Sequence, residues 1–128
     1  YLQPAGAIKP TGTWSVAARA GDFLYIAGMR GIDPSTNKLV EGDENRIRRA
    51  FQNMKHIADS EGVTLADTVR LVVYVTDMNK LRPIVNSVQE EFWPAGNFPP
   101  RTILEVSALN DRDIFEVEGT FFSPNAQP

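Results

Sequence analysis

The run Thr68-Val69-Arg70-Leu71-Val72-Val73-Tyr74-Val75-Thr76 limits the folds open to this chain more than any other stretch. Apolar side chains fall on both of its faces, the pattern of an interior strand covered on two sides. Amphipathic helices flank it. Upstream, Ile47, Phe51, Met54 and Ala58 recur at i, i+4, i+7 and i+11, which predicts a helix from about Asp43 to Ser60 with Gly62 as its stop. Downstream, Asp77-Met78-Asn79 opens a second helix through Phe92, whose apolar stripe is Leu81, Ile84, Val85, Val88 and Phe92. Two helices can cover only one face of a sheet. The strand's other apolar face therefore needs cover from outside the chain, and a further copy is the obvious candidate.

The rest of the chain supplies strands. Residues 1–13, with Pro4, Gly6, Pro10 and Gly12, read as irregular. Trp14 to Ala18 is a first strand, and a turn at Ala20-Gly21-Asp22 leads to Phe23–Gly28. Asp33-Pro34-Ser35-Thr36 turns the chain into a short Lys38-Leu39-Val40. Arg101 to Glu118 reads as two strands joined by a polar turn. In the first, Leu104, Val106 and Ala108 alternate against Arg101, Ile103 and Glu105. In the second, Phe115, Val117 and Phe121 share a face opposite Glu116, Glu118 and Thr120. A plain hairpin would set Glu116 beside Glu105, roughly 13 Å along the strand from Arg101. The order predicts one α+β domain over residues 1–128, a single mixed sheet of about six strands with two helices on one face.

Composition removes whole classes of chemistry. With 42% hydrophobic residues, 128 residues can build a modest core. A net charge of −3 offers no general attraction to nucleic acid or an anionic membrane. There is no cysteine and a single histidine, His56, so thiolate catalysis, disulfides and multi-histidine metal sites are excluded. The Arg46-Ile47-Arg48-Arg49 run reads as a solvated helix face, since no aromatic platform accompanies it. No apolar run approaches the roughly 20 residues of a membrane span. Tyr1-Leu2-Gln3-Pro4 has no basic or apolar leader, and the missing initiator methionine leaves room for residues ahead of Tyr1. A cytoplasmic protein needing neither metal nor cofactor is the expectation.

Arg101-Thr102, Leu109 and the Phe115-Glu116-Val117-Glu118 block resemble the C-terminal signature of the RidA/YjgF family, the reactive-intermediate deaminases, also known as the endoribonuclease L-PSP family. In that family an arginine followed by serine or threonine precedes V-x-x-L-P, and a V-E-I-E block places its first glutamate fifteen residues beyond the arginine. Arg101 and Glu116 keep that separation, while Asn110 stands where proline is usual. Ala27-Gly28, followed by a loop with Pro34, resembles the family's opening hairpin. The likeness covers nearly the whole chain.

The resemblance implies a chorismate mutase-like fold assembled as a homotrimer with clefts between subunits. It also implies cofactor-free, metal-free hydrolysis of small imine or enamine carboxylates to 2-oxo acids and ammonia. Arg101 would grip the substrate carboxylate through its planar fork, and Glu116 would orient water and shuttle a proton. Gly28 matches a glycine whose backbone borders the pocket. Trp14 replaces the usual tyrosine, Ile103 stands where many members have cysteine, and Asn86 matches an asparagine near the pocket. The segment between Phe92 and Phe98 is two residues shorter than in common imine deaminases. Arg30 is additional: beside Arg101 it would suit a dicarboxylate, as in relatives that deaminate 2-aminomuconate-type enamines, with a solvent-exposed loop arginine as the plain alternative. Two other functions stay open. A metabolite-binding or chaperone-like trimer would keep Arg101 without needing Glu116. Cleavage of RNA, ascribed to some relatives, sits poorly with the net acidity.

Overall fold

The structure, a computed structural model, describes residues 1–124. Strands β1 (Ala17–Ala20) and β2 (Phe23–Met29) form the opening hairpin, and β3 (Ile32–Asp33) pairs with β4 (Lys38–Leu39). Helix α1 (Asp43–Ser60), strand β5 (Thr68–Val75), helix α2 (Met78–Phe92) and strands β6 (Arg101–Glu105) and β7 (Phe115–Phe122) follow. The main sheet runs β1-β2-β7-β5-β6, so the last strand in sequence lies at its centre.

The mixed sheet expected from the sequence has five strands, and β3 and β4 form a separate two-strand ribbon. Two sequence expectations need correcting. Residues 101–105 and 115–122 do not form a hairpin: β6 runs parallel to β5 at the sheet edge, and β7 inserts antiparallel between β2 and β5. The helix α2 supplies the crossover that a parallel pair requires. The faces of β6 are accordingly inverted, with Ile103 packed toward the core and Leu104 exposed. The first strand also begins later than expected, leaving Trp14 in the segment ahead of β1.

Both helices lie on one face. In α1 the stripe Ile47, Phe51, Met54, Ile57 and Ala58 is wholly buried. Phe51 is its pivot, with ring centroids 5.4 Å from Phe92, 6.1 Å from Trp93 and 5.7 Å from Phe115. One side chain thereby ties α1 to the end of α2 and to the central strand. Helix α2 starts where two carboxylates satisfy its free N–H groups: Asp77 accepts from Lys80 N at 3.1 Å and Glu105, at the end of β6, accepts from Met78 N at 2.8 Å. That contact fixes the helix against the strand that carries Arg101.

Alternation on β7 follows the sequence pattern. Phe115, Val117 and Phe121 are buried under the helices, while Glu116, Glu118 and Thr120 point to the other face. Among the described residues no helix covers that second face. Phe23, Tyr25, Phe122 and Leu104 are exposed on it, and Phe23 packs edge-on against Phe122 at 5.2 Å. Interior strand β5 contributes half-buried Val72 and Tyr74, so within one chain its second face is only partly covered. No helix among the described residues is long and apolar enough to cross a membrane.

Candidate functional site

The residues singled out in the sequence, Ile103 apart, divide between two cavities on opposite faces of the sheet. Arg101 opens β6 opposite Leu71, and Leu71 is also opposite Gly119 on β7. Paired residues share a face, so Arg101 points to the helix side with Leu71, whereas Glu116, an odd number of residues from Gly119, points away. Two strand spacings across and three residues along place their Cα atoms roughly 14 Å apart. The hairpin expectation gave a similar separation for a different reason.

The Arg101 cavity, about 390 Å³, is lined by Asn86, Gln89, Glu90, Phe98 and Pro99 as well as the arginine. Arg101 Nη1 donates to Gln89 Oε1 at 2.8 Å, which points the guanidinium across the cavity. Burial, reinforced by nearby Arg82, pushes Arg101 below its usual proton affinity. Sequence reasoning found Asn86 here and missed Gln89, which lies one helical turn further along the same face of α2.

The second cavity, about 450 Å³, holds Thr11, Trp14, Ala27, Gly28, Arg30, Asn110 and Glu116. Its shape starts with a bulge. Between Ile26 and Met29 strand β2 spends three steps while β7 spends two, from Gly119 to Val117. The extra residue turns the strand end outward and presents the Gly28 backbone to the Glu116 side chain. A Cβ at Gly28 would lie 2.5 Å from Glu116 Cδ and 2.8 Å from Cγ, so glycine is what lets that carboxylate lie across the strand. Gly31 has a similar duty, because a Cβ there would meet Arg46 Cα at 2.7 Å as the loop passes over α1.

Glu116 is half-buried and forms no ion pair or hydrogen bond among the described residues. Burial raises its proton affinity above the usual carboxylate range; Arg30 opposes that, and Glu118 and Asp113 add to it. On β5, across the ladder from Glu116, Tyr74 donates its hydroxyl to Glu118 Oε1 at 2.6 Å and is itself pushed up to about 12. A carboxylate held free, half-desolvated and close to a cavity can exchange a proton with a bound molecule.

Within one chain Arg30 does not stand beside Arg101, and it is buried, not a solvent-exposed loop residue. It is 5% exposed and stands in the Glu116 cavity. Its Nη1 donates to Asp113 Oδ2 and to the Asn110 carbonyl, each at 3.1 Å, while Nη2 lies 3.6 Å from Asp111 Oδ2. Asp113 is 1% exposed, and its other oxygen accepts from Ile114 N at 2.7 Å and from Arg46 Nη1 at 3.5 Å. Asn53 on α1 donates to the carbonyls of Arg30 and Ile32 at 3.0 and 2.8 Å and holds the loop from below. Nothing in the sequence alone pairs Arg30 with a residue 83 positions away; an acid immediately ahead of a buried strand was the available signal. Ile103 lines neither cavity and packs against the core. No cluster of three or more His, Cys, Asp or Glu side chains among the described residues could hold a metal ion.

Known proteins match this arrangement over most of its length. The sequence model of the family described as endoribonuclease L-PSP matches residues 5–121. A RutC family protein from Pyrococcus horikoshii is 38% identical over 86% of both chains. A 2-iminobutanoate/2-iminopropanoate deaminase from Dermatophagoides farinae is 30% identical over 86% of this chain and 85% of its own. The solved structure of a probable translation initiation inhibitor from Rhodopseudomonas palustris superposes with a TM-score of 0.93 at 53% identity, covering 97% of this chain and 96% of that one.

Proposed function

The chain belongs to the endoribonuclease L-PSP family, the RidA/YjgF family whose signature its sequence resembles, and from that premise we propose that it hydrolyses small imine or enamine carboxylates to 2-oxo acids and ammonia. The observation that carries this reading is Glu116: an unpaired carboxylate, lifted by burial, in a cavity shaped by the β2 bulge. The deaminase from Dermatophagoides farinae supports the reaction class.

In this reading Arg101 binds the substrate carboxylate with two parallel charge-assisted hydrogen bonds, steadied by Gln89. Ionised Glu116 accepts a proton from water as its oxygen bonds to the imine carbon. The same proton then passes to nitrogen; as the C–N bond breaks and ammonia leaves with its electron pair, Glu116 takes the proton of the new hydroxyl, giving the 2-oxo acid, and hands that proton to the departing ammonia. A protonated imine is electrophilic enough that no metal or cofactor enters the balance. An enamine needs one prior step, proton transfer to its β-carbon. Gly28 borders the site, with Trp14 and Asn86 as walls; Ile103 contributes only indirectly, through the packing of β6.

Because Arg101 and Glu116 point to opposite faces of one sheet, the proposed cleft forms between copies of the chain. The helix-free face, with exposed Phe23, Tyr25, Leu104 and Phe122, supports the homotrimer expected of the family. Arg30 is matched by Asp113 and Asp111, so it brings no free second charge, and simple 2-imino acids rank ahead of an aminomuconate-type dicarboxylate.

The test is ammonia release from freshly generated 2-iminopropanoate and from 2-aminomuconate, above spontaneous hydrolysis. Arg101→Ala and Glu116→Gln should each abolish the acceleration, and co-refolding the two variants should restore part of it. A well-folded protein that accelerates neither substrate overturns the proposal and leaves a binding protein. Light scattering that finds a monomer overturns the intersubunit cleft.

A further inference from the structure

Arg30 is the buried charge that the proposed reaction leaves idle. It is 5% exposed and lines the cavity that contains Glu116. Both hydrogens of Nη1 are used, one on the Asn110 carbonyl and one on Asp113. The N–H groups of Nε and Nη2 have no hydrogen bond among the described residues, and Glu116 makes no ion pair with them although Arg30 is the strongest charge acting on it. The arginine is held back by its far nitrogen. Asp113, 1% exposed, is in turn held by the Ile114 N–H and Arg46, so the clamp is anchored on α1 and on the start of β7. The Asn53 bonds to the Arg30 and Ile32 carbonyls fix the backbone beneath it.

We propose that Arg30 is a positioning residue for Glu116: clamped by Asp113 and the Asn110 carbonyl, it directs its unbonded edge at the cavity and holds Glu116 in its proton-accepting form without closing on it. The arrangement reconciles two needs. A direct Arg–Glu ion pair would occupy the carboxylate and quench it as a base. With no cation at all, burial and the neighbouring acids would raise its proton affinity further. The charged and titratable groups around Glu116 and its clamp are Arg30 beyond the end of β2, Tyr74 on β5, Glu118 further along β7 and Asp113 just ahead of β7, with Asp111 beside Arg30 Nη2 and Arg46 against the far oxygen of Asp113. Tyr74 is neutral near pH 7 and its hydroxyl is committed to Glu118. Of this set Arg30 is the cation that lines the Glu116 cavity. The effect on catalysis rests on Glu116 serving as the proposed base; the electrostatic arrangement does not.

Two substitutions should act in opposite directions, which a merely structural role would not produce. Arg30→Met removes the cation, so Glu116 should titrate at higher pH. Asp113→Asn keeps the shape and most hydrogen-bonding capacity of the clamp but removes an acid and frees Arg30 to approach, so Glu116 should titrate at lower pH. The readout is the carboxyl carbon signal of Glu116 in ¹³C-glutamate-labelled protein, assigned by its loss in Glu116→Gln. Shifts of about one pH unit are expected, upward for Arg30→Met and downward for Asp113→Asn. Arg30→Lys, which retains the charge, should stay nearer to the wild-type midpoint than Arg30→Met. Unchanged midpoints, or shifts of the same sign in Arg30→Met and Asp113→Asn, overturn the proposal. Ammonia release measured alongside separates the two ideas: opposed shifts without any activity would reject the deaminase reading and keep the clamp, whereas activity with unmoved midpoints would reject the clamp alone.

Discussion

Gly28→Ala puts a single methyl group where the candidate site has no space for it. The glycine does not lie in the left-handed region, so alanine suits the backbone, and the conflict is with Glu116 alone. The new Cβ would press hardest on Glu116 Oε2 and lie 2.5 Å from Cδ, whereas ordinary contact begins at 3.4 Å, so the carboxyl group must withdraw by more than the roughly 0.9 Å that Cδ alone requires. Glu116 is a flexible side chain beside a cavity and can rotate away, at a cost of order 1 kcal/mol for an off-rotamer torsion. Gly→Ala in a strand returns up to about 1 kcal/mol by restricting the unfolded chain, so overall stability should barely change. Catalysis should change far more. Displacement by about 1 Å of a group that must meet a particular water can cost about 100-fold, equivalent to about 2.7 kcal/mol of barrier.

The assay is kcat/KM for ammonia release, run beside urea unfolding on the same preparations. Gly28→Ala should fold with near wild-type stability and lose about two orders of magnitude in kcat/KM. Combining it with Glu116→Gln should give no further loss, because the methyl group acts only through that side chain. Activity within about threefold of wild type, from a folded protein, would refute the reasoning: Glu116 would then have no fixed position to lose.

Two stability predictions accompany it. Glu116 takes up its proton at higher pH in the folded state than an ordinary glutamate does, so its ionised form weighs against the fold above that range, and the penalty fades as pH falls through the raised value toward the ordinary one. Glu116→Gln should therefore be more stable than wild type at pH 8, with the gap closing on acidification; urea titrations that find a gap independent of pH would reject this. Asn53→Leu removes both donors from the Arg30 and Ile32 carbonyls and should cost about 2–4 kcal/mol in denaturant unfolding, more than an exposed Asn→Leu on α1 such as Asn45→Leu.

Local pattern revealed much of the fold, and long-range pairing revealed little. The extent of α1 and its buried stripe are those expected from Ile47, Phe51, Met54 and Ala58, because helical periodicity is a property of neighbouring residues. The inward set of Phe115, Val117 and Phe121 was equally legible from alternation. The partner of β6 was not. A short polar link between two alternating segments is the usual mark of a hairpin, yet here residues 106–114 carry the chain past β5 to its other side. The sequence states which residues alternate and says nothing of which strand lies alongside, so alternation alone puts Leu104 on the apolar, inward face, whereas it lies outward. Arg30 and Asp113 escaped for a similar reason: each is a lone charge in its own segment, and only the fold sets them 3.1 Å apart.

The sheet's middle strand being its last has a consequence for synthesis. As the chain leaves the ribosome, the β1–β2 hairpin and the β5–α2–β6 unit can each form from local contacts, but no ladder joins them, since β7 is the strand both must pair with. Until residues 115–122 emerge, β2 and β5 each present an open edge, the state in which strands are most exposed to wrong partners. Closure of this sheet is therefore held back until residues 115–122 have been made, and a stop codon before Phe115 would leave two half-sheets with unmatched edges.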